Sequence, residues 1–219
     1  MRRFAQECRL RPYFLLFTLV YLPILLSSCD LFTTRTPQSP DLGSTFIWTP
    51  AAIPSNLLDN FKGTIEVLDA TNYTKCMIAS KDSAVAGTTY SYSVTPRSGL
   101  DATSRSIFDL WNTQSEQNFM TKLKGSLVAN PRLSVTFSNV NIDQSNSNSA
   151  RITTDYVVLL PTLTNSTIPT AISGSIILQV TLVTTEQATK EWRIVNWSDF
   201  SPSAGNSKTF TDLKVQLSS

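Results

Sequence analysis

Residues 191–199 read Glu-Trp-Arg-Ile-Val-Asn-Trp-Ser-Asp and are the most informative stretch of the chain. Its apolar side chains are Trp192, Ile194, Val195 and Trp197, and aromatic and β-branched residues of this kind are typical of a strand. A polar segment over 184–190 precedes this stretch and separates it from an alternating run. We therefore predict that 191–199 is one strand of a β-hairpin.

A period-two pattern runs through the rest of the second half. Three further strands are predicted, over 133–142, 152–160 and 176–182. In the first of these, Val140 and Ile142 are out of phase with Val135 and Phe137. A shift of phase within one strand predicts a β-bulge, here around Ser138 and Asn139.

The first half has helical periodicity instead. We predict a helix from Ser55 to Leu68, a second helix capped by Asp69, a short strand over 88–94, a helical turn over 107–111, and a helix opened by a Thr113–Glu116 capping box. Gly63 inside the first helix predicts close packing against a neighbouring segment. Helices followed by strands favour an α+β domain with the helices on one face of an antiparallel sheet, and an all-β sandwich is the alternative.

The first 29 residues carry an export signal. Arg2, Arg3, Arg9 and Arg11 precede an apolar run over 13–26, and Ser27 and Ser28 separate this run from Cys29. A membrane-spanning helix needs about 20 apolar residues, and this run is shorter and broken by Pro23, so a cleaved signal is favoured. Leu26-Ser27-Ser28-Cys29 resembles the lipobox of bacterial lipoproteins, in which the chain is cut just before the cysteine.

That resemblance implies that the thiol of Cys29 carries diacylglycerol and that the new amine carries a further acyl chain such as palmitate. Several acyl chains, at roughly 0.8 kcal/mol per buried methylene, hold a protein firmly on a membrane. We expect a signal peptide over 1–28, a lipidated cysteine and flexible tether over 29–51, and a folded domain over 52–219 in the cell envelope. Phe46, Ile47 and Trp48 are too apolar for a free tether and are expected to pack on the domain edge. Whether the protein faces the periplasm or the surface, and on which membrane, stays open.

Composition excludes several kinds of site. The 219 residues include no histidine, the commonest general base and zinc ligand. Beyond the signal peptide, 14 of the 18 Lys and Arg residues and 15 of the 16 Asp and Glu residues remain, so the mature net charge is −1. We expect no nucleic-acid partner, metal or cofactor. Cys76 is the one thiol left unmodified, and we expect it to be a buried apolar residue.

The order of these pieces resembles the nuclear transport factor 2-like superfamily, also called SnoaL-like or cystatin-like, and in particular lipoproteins with that domain. The resembling residues are Trp48–Pro50, Leu57, Asn60, Phe61, Asp69, Tyr73, Cys76, Trp111, Glu116, Phe119, Leu123, Tyr156, Gly174 and Glu191–Asp199. The resemblance implies a curved sheet wrapped by helices into a cone, a cavity at its open end, and homodimers through the sheet.

Enzymes of the superfamily suggest which residues to consider for catalysis. Steroid-isomerase relatives use an aspartate base with a tyrosine and a second acid, and the candidates here are Asp155, Asp199, Tyr90, Tyr92 and Tyr156. Asp155 and Tyr156 are neighbours on a predicted strand and point to opposite faces, so they cannot share a pocket. We expect Tyr156 in the core, Asp199 in local hydrogen bonds, and Arg193 in a surface pair with Glu191 or Asp155.

Three functions remain open. The favoured one is a non-catalytic envelope lipoprotein whose domain binds a small apolar ligand or a protein partner. The alternative is a lyase or isomerase of the steroid-isomerase type, which would use an Asp/Tyr pair. The third, a β-rich surface adhesin, would be favoured by a structure without a helical layer over the sheet.

Overall fold

The computed structural model describes residues 46–82, 88–94, 100–129, 131–162, 166–201 and 207–218. The signal peptide, Cys29 and the tether up to residue 45 lie outside the described residues. The helices are α1 (Pro54–Val67), α2 (Ala70–Lys75), α3 (Ala102–Ser106), α4 (Thr113–Gly125) and α5 (Phe210–Ser218). The strands are β1 (Ser91–Val94), β2 (Ser134–Asn146), β3 (Ser149–Leu159), β4 (Ala171–Thr184) and β5 (Lys190–Phe200).

The strands form one open, curved sheet in the order β1-β5-β4-β3-β2. Strands β2, β3, β4 and β5 pair antiparallel in succession. The sheet has β2 at one edge and β1 at the other, and β1 pairs parallel with β5. The predicted α+β class is therefore confirmed, and the sandwich alternative is wrong because the described strands make a single sheet. The edge strand predicted over 88–94 is present as Ser91–Val94, but its parallel pairing with β5 was not predicted, because the partner strand lies about a hundred residues away.

The predicted bulge in β2 is present. The pairing register between β2 and β3 shifts between Ser138 and Asn141, and Asn139 has a positive φ of 53°. Asparagine tolerates this left-handed conformation better than most residues. The bulge explains why the apolar positions of β2 change phase.

Helix α2 begins as predicted, because the Asp69 side chain accepts a hydrogen bond from Asn72 N at 3.0 Å. The cap of α4 was predicted wrongly. Asn112, not Thr113, is the N-cap, and its side chain accepts from the backbone N–H groups of Gln114 and Ser115. Glu116 is therefore not needed at the helix start, and its side chain lies in the core.

The segment before α1 is attached to the domain at two places. The Phe46 ring lies against Gly63, where an added Cβ would be only 2.3 Å from Phe46 Cε2. The buried Asn60 side chain accepts from Thr49 N at 3.2 Å and donates to Thr49 O at 2.6 Å. The predicted packing of this segment and the close approach at Gly63 are confirmed, except that Ile47 is 83% exposed.

The helices lie on one face of the sheet, and the side chains of that face form the core. Along β3 the burial alternates, with Ile152, Tyr156 and Val158 buried and Val157 and Leu159 exposed. Helix α3 begins at Ala102, before the predicted turn, because Asp101 caps it by accepting from Ser104 N. Ile107 and Phe108 follow this helix rather than forming it.

Candidate functional site

The structure separates Asp155 from the other predicted site residues. Asp155 lies on the outer face of β3, where its carboxylate accepts from Ser175 Oγ at 2.5 Å and from Asn139 Nδ2 at 2.7 Å. These two hydrogen bonds, that of Ser175 first, stabilise the charged form and lower the pKa of Asp155. Tyr156 is buried on the inner face, so the prediction that Asp155 and Tyr156 point to opposite faces of the sheet is confirmed.

Tyr156 and Asp199 meet in the core. Tyr156 Oη donates to Asp199 Oδ1 at 2.9 Å, and it accepts from Phe210 N at the same distance. Asp199 Oδ2 accepts from Thr211 N at 2.8 Å and from Thr211 Oγ1 at 2.7 Å. Asp199 therefore holds the start of α5, and the expectation of purely local hydrogen bonds was wrong. Burial raises the pKa of Asp199, although the hydrogen bonds from Thr211 oppose this.

A second buried carboxylate, Glu116, was not among the predicted site residues. Its Oε1 accepts from Tyr90 Oη at 2.5 Å, from Trp111 Nε1 at 2.9 Å and from Lys214 Nζ at 2.5 Å. Its Oε2 accepts from Tyr73 Oη at 2.9 Å. Both Glu116 and Lys214 are 0% exposed, so this is an ion pair inside the core. Four donors offset the cost of burying the carboxylate.

Aromatic rings surround the ammonium group of Lys214. Its Nζ lies 3.6 Å from the ring centroid of Tyr92 and 3.8 Å from that of Trp197. The rings of Trp111 and Phe119 are 5.3 and 5.5 Å away. We call these four rings and the Glu116 carboxylate the Lys214 cage. Burial lowers the pKa of Lys214 to about 8, although Glu116 opposes this; that value still leaves the group mostly protonated at pH 7.

The tyrosines of the two clusters keep their protons. Burial, reinforced by Glu116 or Asp199, raises the pKa values of Tyr73, Tyr90, Tyr92 and Tyr156 well above 10. Tyr92 joins the clusters, because its ring faces Lys214 while its Oη lies 2.8 Å from Thr211 Oγ1 and 3.3 Å from Asp199 Oδ2. The clusters around Glu116 and Asp199 thus form one connected network in which the tyrosines act as donors.

The sequence contained a signal for both missed residues. Glu116 precedes Phe119, Met120 and Leu123 by three, four and seven positions, so it lies on the apolar face of α4. Lys214 lies within the apolar face of α5, next to Leu213. A charged residue on the buried face of each of two helices predicts an ion pair between them.

Two other sequence expectations can be judged. Cys76 is buried and free, as expected, and burial raises its pKa to about 12. Arg193 is not in a surface pair, because it is only 5% exposed. Its Nη1 lies 2.7 Å from Glu191 Oε2, its Nε lies 4.0 Å from Asp82 Oδ2, and its guanidinium stacks near the Trp48 ring. The pairing with Glu191 is confirmed, and its exposure was predicted wrongly.

Three surface pockets of about 300 to 480 Å³ lie in the described part of the chain, and none is lined by Asp155, Tyr156 or Asp199. Among the described residues, no group of three or more His, Cys, Asp or Glu side chains is placed to hold a metal ion. No helix in these ranges has the length and hydropathy needed to span a bilayer.

No family model matches the sequence, and no curated protein matches it. Solved structures with similar folds include a proposed dehydratase of the NTF2-like family from Streptomyces avermitilis, which is 12% identical. The match covers 69% of this chain and 94% of that one, with a TM-score of 0.47.

Two further structures give similar values. An NTF2-like superfamily protein from Salmonella enterica serovar Typhimurium is 14% identical over 70% of this chain and 92% of that one, with a TM-score of 0.45. A protein of unknown function with a cystatin-like fold from Nostoc punctiforme is 12% identical over 68% and 89%, with a TM-score of 0.41. The three structures named here carry the NTF2-like or cystatin-like name, and likeness at this level says nothing about chemistry.

Proposed function

We propose that this chain is a cell-envelope lipoprotein, anchored to a membrane through Cys29, whose domain is a non-catalytic module that pairs with a second copy through its sheet. Its main support is the placement of the carboxylates. Asp199 and Glu116 bind groups of the protein itself in a filled core, and Asp155 lies on the opposite, uncovered face. An aspartate base needs a cavity in which a substrate can reach it, and Asp199 is 1% exposed, with both carboxylate oxygens bonded to groups of the protein.

The outer face of the sheet supports a protein partner rather than a small ligand. In the described part of the chain, no helix packs on it, and Val157 and Leu159 are about half exposed there, at 45% and 52%. The side chains of β4 on this face are uncharged, at Ser173, Ser175, Ile177, Gln179 and Thr181. A surface with exposed apolar residues and few charges suits a protein interface.

The charges on β3 favour a second copy as that partner. Arg151 and Asp155 lie on the outer face, two residues to either side of Thr153. A two-fold axis in the plane of the interface, crossing β3 at Thr153, would place Arg151 opposite Asp155 of the partner subunit. The same contact would occur twice, because an interface around a two-fold axis is self-complementary.

Charge reversal tests this pairing. In sedimentation velocity of the detergent-purified full chain, we expect the native protein to be a dimer. Arg151→Glu or Asp155→Arg should each weaken the dimer at least tenfold, because like charges then face each other. The two single variants mixed together should form a heterodimer. Lys124→Glu, an exposed charge on α4, is the matched control and should not change the dimer.

A native chain that stays monomeric, or single variants that dimerise as well as the native chain, would contradict the pairing. Isomerase turnover that is abolished by Asp199→Asn in a folded protein would contradict the non-catalytic assignment and favour the steroid-isomerase alternative.

The anchor is tested separately. In phase partitioning with a nonionic detergent, the native protein should enter the detergent phase. Intact-mass analysis of Cys29→Ala should detect neither a processed form of the chain nor acyl groups on it. Cys76→Ala is the control, because this buried thiol should carry no lipid. A native N-terminus free of acyl chains would overturn the lipoprotein assignment.

A further inference from the structure

The Lys214 cage has the chemistry of a binding site for an organic ammonium ion. Proteins recognise such ions with the faces of several aromatic rings, and an anion nearby adds specificity. Here the Tyr92 and Trp197 rings lie within 4 Å of the nitrogen, and the Glu116 carboxylate accepts its hydrogen bond. The nitrogen is 0% exposed, so these contacts replace its whole hydration shell.

The walls of this cage do not come from the helix that fills it. Tyr92 is on β1, Trp197 on β5 and Glu116 on α4, whereas Lys214 is on α5, the last helix described. The walls also contact one another: the Tyr92 ring lies 5.2 Å from the Trp197 ring and 6.2 Å from the Trp111 ring. Such contacts hold a site in its binding geometry before the ligand arrives.

The carboxylate of the cage is likewise held in place without α5. Tyr73, Tyr90 and Trp111 all donate to Glu116, and none of them belongs to α5. Trp197 contributes a ring face only, since its Nε1 has no hydrogen-bond acceptor among the described residues. Removal of the Lys214 side chain would therefore leave a charged, aromatic-lined space rather than an unstructured gap.

We propose that the Lys214 cage is an ammonium-binding site that the protein fills with its own C-terminal helix, and that a free primary alkylammonium ion occupies it when the Lys214 side chain is absent. Lys214 is then a tethered ligand, and α5 closes the site by carrying that ligand. The proposal concerns the core alone and does not depend on the membrane anchor or on the sheet interface.

Complementation of Lys214→Ala with n-propylammonium tests the proposal, because this ion is the fragment that the substitution removes. In the detergent-purified full chain, thermal unfolding is followed by far-ultraviolet circular dichroism. We expect the variant to unfold at a lower temperature than the native protein. The ion should raise the midpoint saturably, by about 3–6 °C at ten times its dissociation constant. 1-Propanol, which has the same chain without the charge, and sodium chloride at equal concentration should not.

Three further variants and samples complete the test. The native protein and Lys214→Met, in which a side chain already fills the cage, should show no rise with n-propylammonium. Lys214→Ala combined with Glu116→Gln should lose the preference for n-propylammonium over 1-propanol. If Lys214→Ala alone does not fold, refolding with n-propylammonium should restore the circular dichroism spectrum.

Several outcomes would overturn the proposal. They are a response of Lys214→Ala to 1-propanol as large as its response to the ion, an equal rise in the native protein, or no response of the variant in either unfolding or refolding.

Discussion

The ammonium group of Lys214 and the carboxylate of Glu116 lie 2.5 Å apart although the residues are 98 positions apart in the chain. This contact joins α5 to α4 across the core. Neither group reaches water, so each depends on the other to offset the cost of its burial. The ion pair is therefore one of the contacts that hold α5 against the rest of the domain.

Removing either partner should strongly destabilise the protein. We expect Lys214→Met and Glu116→Gln each to lower the free energy of unfolding by about 3–5 kcal/mol, because an unpaired buried charge or donor remains. The double variant should cost at least about 1 kcal/mol less than the sum of the two, since the residues are in contact. Urea unfolding followed by circular dichroism gives the free energy of unfolding of the native protein, the two single variants and the double variant, which together make a double-mutant cycle.

Lys122→Met is the control for that cycle. The Nζ of Lys122 donates to Leu217 O at 2.7 Å, so it also joins α4 to α5, but at an exposed position. Its loss should cost less than about 1 kcal/mol. Additive single variants, or a Lys122→Met effect as large as that of Lys214→Met, would contradict the role of the buried pair.

The same lysine should give the stability a characteristic dependence on pH. The pKa of Lys214 is lowered to about 8 in the folded protein, chiefly by burial, and returns to its ordinary value of about 10.5 on unfolding. Between these values the unfolded chain binds more protons than the folded one, so this group makes the protein more stable as the pH rises. The difference in unfolding free energy between the native protein and Lys214→Met should therefore shift in favour of the native protein between pH 8 and pH 10.

Above about pH 10 the trend should reverse in the native protein. Tyr73, Tyr90, Tyr92 and Tyr156 have raised pKa values in the folded state, so their ionisation favours the unfolded chain. Urea unfolding at half-unit steps from pH 7 to pH 11 would show both the rise in the free energy of unfolding that is due to Lys214 and its fall above about pH 10. A native-minus-variant difference that is flat or falls between pH 8 and pH 10 would show that Lys214 does not titrate in this way.

The elements set by local patterns could be predicted from the sequence. Strands β2 to β5 follow from the alternation of apolar side chains, and the bulge at Asn139 follows from the change of phase between Phe137 and Ile142. Asp69 could be recognised as a helix cap because the cap acts over three residues. Each of these signals depends on neighbours in the sequence.

The buried network could not be predicted in the same way. Glu116 was assigned to a capping box because Thr113 and Glu116 have the right spacing, but Asn112 provides the cap and Glu116 turns inward. Its partner Lys214 lies on α5, a nine-residue helix that was not predicted. The helix faces place Glu116 and Lys214 on the buried side, but most of the contacts that identify the site join residues far apart in the chain, and only the bond from Trp111 to Glu116 is local.

Asp199 should control the attachment of α5 independently of Lys214. Both carboxylate oxygens of Asp199 accept hydrogen bonds, from Tyr156 and from Thr211. In Asp199→Asn an NH2 group replaces one of these oxygens, so at least one buried donor would lose its acceptor. We expect a loss of about 1–3 kcal/mol. Hydrogen exchange should show faster exchange of the α5 amides than in the native protein, with the β3 amides affected less.

Asp109→Asn is the matched control, because Asp109 is exposed. It should leave exchange in α5 unchanged. If Asp199→Asn accelerated β3 and α5 equally, the residue would support the whole domain and not the last helix in particular.

Gly174 should be essential because the structure leaves no room for a side chain at this position. An added Cβ would lie 2.6 Å from Phe200 O and 2.7 Å from Tyr156 Oη, and the first of these atoms is backbone that cannot move aside. Gly174→Ala should therefore lower the free energy of unfolding by about 1–3 kcal/mol and weaken the bond from Tyr156 to Asp199. Gly125→Ala is the control, since no atom lies within 4 Å of its added Cβ at the end of α4, and it should raise stability by up to about 1 kcal/mol. In urea unfolding, Gly174→Ala should therefore have a lower free energy of unfolding than the native protein and Gly125→Ala a higher one. A Gly174→Ala variant as stable as the native protein would show that β4 can shift away from Phe200.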